Sequence, residues 1–248
     1  MRYLIIVIAA ALSLPVVAQD STVKDKIMAA MSSDMRTEAE VERDRNRKPV
    51  ETLQFLGLKD DMRVLELLPG GGWYTKILAP TLRENGELYV AIGTMRVNRD
   101  LLSAKGFDHV KVLDIGVTSE RNGPFRKSNI GAFEFGVSNI DLALTFRNMH
   151  NFTPEGRRNM NAAVYKSLKS GGHFGVVDHT KRHMEPMTAE NRRRADPVQI
   201  IHEALEAGFE FVDFAGLHYK ADDELRFEVG RKTVTGNSDR FTLLFRKP

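Results

Sequence analysis

The sequence contains no cysteine in its 248 residues. That absence excludes disulfide bonds, a thiolate nucleophile, a cysteine metal site and a lipid-anchor cysteine. After the apolar run near the N-terminus, no apolar run approaches the roughly 20 residues that a membrane-spanning helix needs. Charge is also nearly balanced, with 36 Lys and Arg against 33 Asp and Glu, a net charge of +3. We therefore expect no nucleic-acid partner, because such proteins carry a marked basic excess.

The first residues have the pattern of a secretory signal peptide. Arg2 precedes an apolar run from Tyr3 to Leu14, and small residues then lead to Ala18. A charge, a short apolar core and small residues are the features that signal peptidase reads. We expect cleavage near Ala18 and a periplasmic or secreted mature protein with no membrane span.

Beyond the signal peptide at 1–18, the chain divides into two parts. Residues 19–48 are polar and helical in type, with Ile27, Met28, Met31 and Met35 spaced for one face of a helix. Residues 49–248 are predicted to form a single α/β domain, because their length suits one core.

Apolar runs alternate with amphipathic stretches through residues 49–248. Strands are predicted at 63–67, 87–92, 110–114, 141–146, 173–178, 210–217 and 240–246. Helices are predicted at 49–58, 73–83, 98–105, 154–168 and 197–207. Such alternation produces parallel strands with helices on both faces of the sheet. The expected fold is α/β, a doubly wound and mostly parallel Rossmann-like sheet that ends in an antiparallel hairpin.

The most informative segment joins the first predicted strand to the helix after it. An apolar run ends in Glu66, and the turn 69–72, of sequence PGGG, follows almost at once. A strand that turns through glycines into a helix points backbone N–H groups at an anion or nucleotide above the sheet. The segment therefore predicts a cofactor-binding loop.

The order of several motifs resembles the class I S-adenosylmethionine-dependent methyltransferases. These motifs are Glu66 with the glycine turn, Asp141 at the fourth strand, and residues 168–172 before the fifth strand. Residues 146–151, 194–197 and 239–241 further resemble a branch of predicted methyltransferases that carry signal peptides. The resemblance covers about residues 50–248. It implies a methyltransferase sheet, S-adenosyl-L-methionine as the cofactor, and an acceptor that we expect to be a small molecule.

The resemblance also implies roles for individual residues. Glu66 would orient the loop or meet the cofactor's amino group through water, and Asp114 would accept from the adenine amine. The cofactor-binding set comprises Glu66, Pro69, Gly70, Gly71, Gly72, Trp73, Asp114 and Arg147. The catalytic set, expected near the acceptor, comprises Asn148, His150 and Arg194. His150 could serve as a general base because an unperturbed imidazole has a pKa of about 6.5.

Two departures from the family pattern leave a second interpretation open. Leu68 stands where the first glycine of the loop would be, and no carboxylate ends the second strand to hold the ribose hydroxyls. The missing acceptor corresponds to about 1.5–3 kcal/mol of binding free energy. The alternative is a catalytically impaired binding or accessory protein of the cell envelope, outside the compartment that holds the cofactor. A nicotinamide oxidoreductase is disfavoured, because the loop lacks the third dinucleotide glycine.

A metal site is a weaker alternative. Asp178, His179 and His183, joined by His150, contain carboxylate and imidazole groups that could ligate a metal ion. The spacing of His179 and His183 suits a ligand pair on a helix, but here it follows a strand. We therefore predict ordinary loop histidines and no metal. For residues 147–151, a polar loop that caps the next helix stays as open as a substrate pocket.

Overall fold

The computed structural model describes residues 16–117, 120–121 and 123–248. Most of the predicted signal peptide lies outside these residues. The helices are α1 (Val16–Met31), α2 (Glu38–Val41), α3 (Asp44–Arg47), α4 (Pro49–Phe55), α5 (Thr75–Leu82), α6 (Met95–Asp100), α7 (Pro154–Ser167) and α8 (Pro197–Glu206). The strands are β1 (Arg63–Leu67), β2 (Glu87–Ala91), β3 (Lys111–Leu113), β4 (Ile140–Phe146), β5 (Leu168–His179), β6 (Glu210–Phe214) and β7 (Arg240–Arg246).

The strands form one sheet in the order β3-β2-β1-β4-β5-β7-β6. Strands β1 to β5 pair in parallel, and β7 lies antiparallel between β5 and β6. The predicted doubly wound sheet and its antiparallel C-terminal hairpin are confirmed. The chain leaves β1 in one direction and β4 in the other, so a crevice opens between the carboxyl ends of these two strands.

Apolar side chains cover both faces of the sheet, as expected for parallel strands buried on both sides. Val64 faces a core formed with α1 and α5, while its neighbour Leu65 faces a core formed with α7 and α8. The alternation of strand side chains thus places one residue of β1 in each core. Among the described residues, no helix is long and apolar enough to cross a membrane.

The N-terminal helix buries only part of the face predicted for it, since Ile27 is fully buried and Met31 is partly buried against the same core. Val23, Ile27 and Ala30, spaced four and three residues apart, pack into the core beside α5. The prediction was wrong for Met28 and Met35, which are 50% and 36% exposed. The packing of α1 on α5 selects the face that carries the smaller side chains, and a methionine pattern alone could not reveal that choice.

The largest differences from the predicted element boundaries lie in β5 and α6. β5 begins at Leu168 because residues 169–172 continue the strand across a register shift opposite β4. α6 occupies Met95–Asp100 rather than 98–105. These shifts leave the sheet order unchanged.

Candidate active-site cleft

A cleft of about 460 Å³ opens at the carboxyl ends of β1 and β4. This volume lies within the range of small-molecule and cofactor sites, roughly 300–1,000 Å³. The structure brings seven of the predicted site residues to its wall: Glu66, Pro69, Gly70, Gly71, Trp73, Arg147 and Asn148. The cleft therefore lies where the sequence placed the cofactor loop.

Glu66 ties the end of β1 to the start of α5. Its side chain is buried, and its carboxylate accepts a 2.6 Å hydrogen bond from the Thr75 hydroxyl. Burial raises the pKa of Glu66 to about 7, against the opposing effects of Thr75 and of the Arg47 charge. Glu66 thus fixes the loop between strand and helix, and it is partly protonated near neutral pH.

Three adjacent strands, β2, β1 and β4, are each followed by a residue other than glycine with a positive φ angle. Leu68 after β1, Ile92 after β2 and Arg147 after β4 have φ angles of 52°, 61° and 64°. A side chain in this left-handed region costs about 1–2 kcal/mol. Leu68, which replaces the usual first glycine, therefore still adopts a conformation that glycine favours.

The glycines of the loop serve different purposes. Gly70 has φ 61°, and a Cβ placed on it would meet no atom within 4 Å, so its open side faces the cleft. Gly72 does not line the cleft. A Cβ on Gly72 would lie 2.7 Å from Leu101 and 3.0 Å from Val97. Gly70 keeps the cleft open, whereas Gly72 lets the loop pack against α6 and the segment after it.

Asn148 joins the end of β4 to the loop after β1. Its amide group donates to the backbone oxygens of Leu67 and Leu68 over 3.4 and 3.3 Å. Beside it, the ring of Phe146 stacks on Tyr74 with centroids 3.5 Å apart. These contacts give the cleft a rigid wall with one flat apolar surface.

The N-terminal segment forms a wall of the cleft that the sequence interpretation missed. Thr37, Ala39, Glu40, Arg43 and Arg47 all line it. The one available signal was the capping box at the start of α2, in which Thr37 and Glu40 satisfy each other's backbone N–H groups. A capping box indicates where a helix starts, but it does not indicate where that helix lies in the fold.

Trp73 fastens this segment to the domain. Its indole N–H donates to the Glu40 backbone oxygen at 3.0 Å, and the Arg47 guanidinium lies 4.1 Å from its ring centroid. Lys76 adds a 2.8 Å ion pair to the Glu40 carboxylate. Because Trp73 is the only tryptophan in the chain, its fluorescence reports directly on this wall.

No family model and no curated protein sequence matches the chain. Solved structures do resemble it. A methyltransferase from Aquifex aeolicus, described as dependent on S-adenosylmethionine, has a TM-score of 0.54 and 15% identity over 91% of this chain and 98% of its own. The glycopeptide N-methyltransferase MtfA complexed with sinefungin has a TM-score of 0.54 and 15% identity over 83% of this chain and 87% of its own.

The chain has the class I methyltransferase fold. The predicted fold class is therefore confirmed by comparison as well as by topology. The [4+2]-cyclase SpnF also has this fold, with a TM-score of 0.57 and 15% identity over 94% of this chain and 95% of its own. The methyltransferase fold thus supports more than one chemistry, and function must be inferred from the site.

The edge of the methyltransferase sheet around β2 and β3 offers little to hold an adenosine. Ile92 and Gly93 follow β2 without a carboxylate. Asp114, after β3, is exposed, accepts a hydrogen bond from the Gly116 N–H and does not line the cleft. Asp114, the predicted adenine acceptor, therefore follows β3 but lies outside the cleft.

His150 also lies outside the cleft. It is buried, with its ring Nδ1 2.6 Å from one oxygen of Asp178 and its backbone N–H donating to the other. This contact fixes the turn after β4. The imidazole predicted as a general base is therefore engaged with a buried carboxylate away from the loop glycines.

The other two histidines considered as metal ligands, His179 and His183, each have a different hydrogen-bond partner. His179 bonds Ser238 at 2.9 Å, and His183 bonds Asp196 at 2.9 Å. Within the described part of the chain, no group of three or more His, Asp and Glu side chains is placed to hold a metal ion.

Arg194 is enclosed in the protein rather than exposed to the cleft. It is 1% exposed, and its guanidinium makes two 2.9 Å bonds to the Asp223 carboxylate. It also donates to the backbone oxygens of Thr180 and Phe227. Arg194 thus joins the end of β5 to the connection between β6 and β7, about which the sequence interpretation said nothing.

Proposed function

We propose that this protein is an S-adenosylmethionine-dependent methyltransferase that acts on a small molecule. The observation that carries the proposal is the cleft itself. It lies at the switch point of a methyltransferase fold, beside the loop after β1. Gly70 of this loop leaves open space, and the buried carboxylate of Glu66 lies near the end of β1. The sinefungin complex of a neighbour with the same fold supports this choice of cofactor class.

The residues present suit a cofactor that carries charges of both signs. S-Adenosylmethionine has an ammonium, a carboxylate and a sulfonium group. Glu40 and the partly ionised Glu66 supply negative charge at the cleft, and Arg43, Arg47, Arg96 and Arg147 supply positive charge. The open side of the glycine loop leaves room for the backbone to approach a ligand closely. The cleft therefore fits the cofactor in charge and in volume.

The cleft's contribution to catalysis is alignment. The bound cofactor supplies an electrophilic methyl group, and transfer of that group needs a nucleophile in line and little water. Asn148 fixes one wall through the loop after β1, and the segment held by Trp73 closes another. No catalytic triad is required for this chemistry.

Leucine in place of Gly70 should abolish cofactor binding. The side chain would project into the cleft, and the φ of 61° would be strained. We expect S-adenosylmethionine affinity in calorimetric titration to fall by about a hundredfold or more. The matched control is Gly171→Leu, which has φ 75°, equally open space and a position away from the cleft. It should bind like the unaltered protein.

The unaltered protein provides the decisive measurement. Titration with S-adenosylmethionine, S-adenosylhomocysteine and NAD should show heat for the first two ligands only. Absence of any binding by either at millimolar ligand would overturn the proposal. Binding of NAD alone would favour an oxidoreductase.

One observation favours a second candidate, a methyltransferase-fold protein with an accessory role and weak cofactor affinity. Neither the end of β2 nor Asp114 offers a carboxylate to the cleft. If this candidate is correct, the cofactor should bind only weakly and methyl transfer should be undetectable with a panel of small-molecule acceptors. Transfer from methyl-labelled cofactor to any acceptor would exclude it.

We also propose that the protein is exported after removal of residues 1–18. The pattern of Arg2, the apolar run and Ala18 supports this proposal. In a bacterial host, N-terminal sequencing of the periplasmic or secreted protein should begin at Gln19. A protein that stays in the cytoplasm with Met1 or Arg2 at its N-terminus would contradict it.

A further inference from the structure

A second cavity adjoins the cleft, and we name it the arginine cavity. It has a volume of about 320 Å³, and no aspartate or glutamate of the described chain lines it. Its charged and ionisable lining consists of Arg43, Arg47, Arg147, Arg193, Arg240 and His179. The first three of these residues also line the cleft, so the two cavities meet there.

Most of these arginines have no counter-ion. Arg193 pairs with Glu228, but in the described part of the chain no ion pair involves the other four. Arg47 and Arg240 are only 5% and 7% exposed. Arg240 donates to the Asn46 backbone oxygen at 2.8 Å, yet its buried Nε has no hydrogen-bond partner. The cavity is therefore lined by guanidinium groups whose N–H donors are available to a ligand, as the Nε of Arg240 shows.

Burying cations without counter-ions is costly, and the pKa values reflect that cost. Burial, with the nearby Arg147 charge, lowers the pKa of Arg47 to about 9 and that of Arg240 to about 10. The carboxylates near these arginines have other partners, and Glu66, whose ionisation the Arg47 charge favours, accepts from Thr75. Asp178 accepts from His150 and from the His179 N–H, and Asp239 accepts from the Lys220 N–H. An anion in the cavity would relieve the repulsion.

We propose that the arginine cavity binds an oxyanion of the substrate, a phosphate or carboxylate group, and directs the remainder of that molecule into the cleft. The guanidinium fork matches both groups through paired charge-assisted hydrogen bonds. Four arginines without a carboxylate partner favour a group, or a molecule, with more than one negative charge. The assignment of this anion as the methyl acceptor rests on the proposed function, whereas anion binding itself needs no cofactor.

The test uses inorganic phosphate and succinate as probes at constant ionic strength. Both titrations are followed by calorimetry and by Trp73 fluorescence, since Arg47 lies 4.1 Å from that ring. Arg240→Met should weaken binding by roughly ten- to a hundredfold, the effect of losing a charge-assisted hydrogen bond. Arg158→Met, which removes an exposed arginine paired with Glu206, is the control and should leave binding unchanged.

Two further variants distinguish a loss of anion binding from a loss of folding. Arg43→Met changes an exposed residue of the same cavity and should also weaken binding while preserving the circular dichroism spectrum. Arg240→Lys keeps the charge but loses the fork, so its affinity should lie between those of Arg240→Met and the unaltered protein. Binding of only one probe would identify which oxyanion the site prefers. The proposal is overturned if neither probe binds at about 10 mM, or if the Arg43 and Arg240 variants bind like the control.

Cofactor titration of the same variants separates this proposal from the proposed function. Arg240 does not line the cleft, so Arg240→Met should retain S-adenosylmethionine affinity while losing phosphate affinity. If it instead loses the cofactor and keeps phosphate, the arginines hold the cofactor and the substrate-anion site is wrong. Phosphate binding by a protein that binds no cofactor would support the anion site and contradict the methyltransferase.

Discussion

Replacement of Arg194 by methionine should destabilise the fold by about 3–5 kcal/mol. Removal of one partner of a buried ion pair leaves the other charge buried without its counter-ion. Asp223 is the charge left behind, since two 2.9 Å contacts from the Arg194 guanidinium end on its carboxylate and each residue's side chain is at most 2% exposed. Urea unfolding, with native structure checked by circular dichroism, measures this loss.

The controls identify the cause of the loss. Arg158→Met removes an exposed ion pair and should leave the free energy of unfolding nearly unchanged. The double variant Arg194→Met with Asp223→Asn should recover part of the stability. The asparagine carries no charge. Its amide oxygen can still accept a hydrogen bond from the backbone N–H of Leu225 or Asp239, both of which donate to Asp223 in the unaltered protein. A stable Arg194→Met protein that has lost only methyl transfer would instead support the catalytic role predicted from sequence.

Arg194 shows why parts of the site could not be predicted. Its motif at 194–197 resembles a family pattern, which favoured a functional role. In the structure Asp196 caps α8 by accepting from the Val198 N–H, and the partner of Arg194 lies 29 residues further along the chain. Neither the hydrophobic periodicity nor the spacing of the motifs predicts that Arg194 pairs with Asp223. Burial of an arginine is decided by tertiary packing.

The fold and the cofactor loop were predictable because their signals are local. Each parallel strand is a short apolar run, and the turn at Gly70 follows its strand directly, so pattern and position agree. The backbone conformation of Leu68 could not be predicted from the sequence in this way. A leucine at φ 52° is held there by the strand before it and the loop after it, and the identity of one residue does not reveal such strain.

The arginine cavity is the clearest example of a site that sequence could not reveal. Its four unpaired arginines come from positions 43, 47, 147 and 240, which belong to three separate parts of the chain. In the sequence, residues 36–47 look like an exposed charged stretch. The arginines of this segment become the wall of a cavity because the segment docks on the domain through Trp73, Lys76 and Arg240.

Glutamine in place of Glu66 should stabilise the protein at pH 8 by up to about 3 kcal/mol, and by little at pH 4.5. In the unfolded chain Glu66 ionises near 4.5, whereas burial raises its folded pKa to about 7. A raised carboxyl pKa means that the folded state keeps the proton longer. Its contribution to stability is therefore complete below pH 4.5 and is lost as pH rises through 7. Glutamine does not ionise, and its amide oxygen can still accept from Thr75.

Urea unfolding of both proteins at several pH values from 4.5 to 8 measures this difference. The comparison cancels other titrating groups, such as His218, whose pKa burial lowers to about 4 and which destabilises the fold as pH falls. Glu87→Gln is the control, because Lys111 and Tyr89 lower the pKa of that half-buried carboxyl, so its loss should not stabilise the protein at pH 8. A stability difference between the unaltered protein and the Glu66→Gln variant that does not change with pH would contradict the buried-carboxyl account.

The same experiment connects stability to function. A cationic ligand near Glu66 would favour the ionised carboxylate and so offset the cost of burying it. Saturating S-adenosylmethionine should therefore stabilise the unaltered protein more than Glu66→Gln at pH 8, and the advantage of the variant should shrink. Equal stabilisation of both proteins would mean that Glu66 holds the loop through Thr75 and does not sense the cofactor's charge.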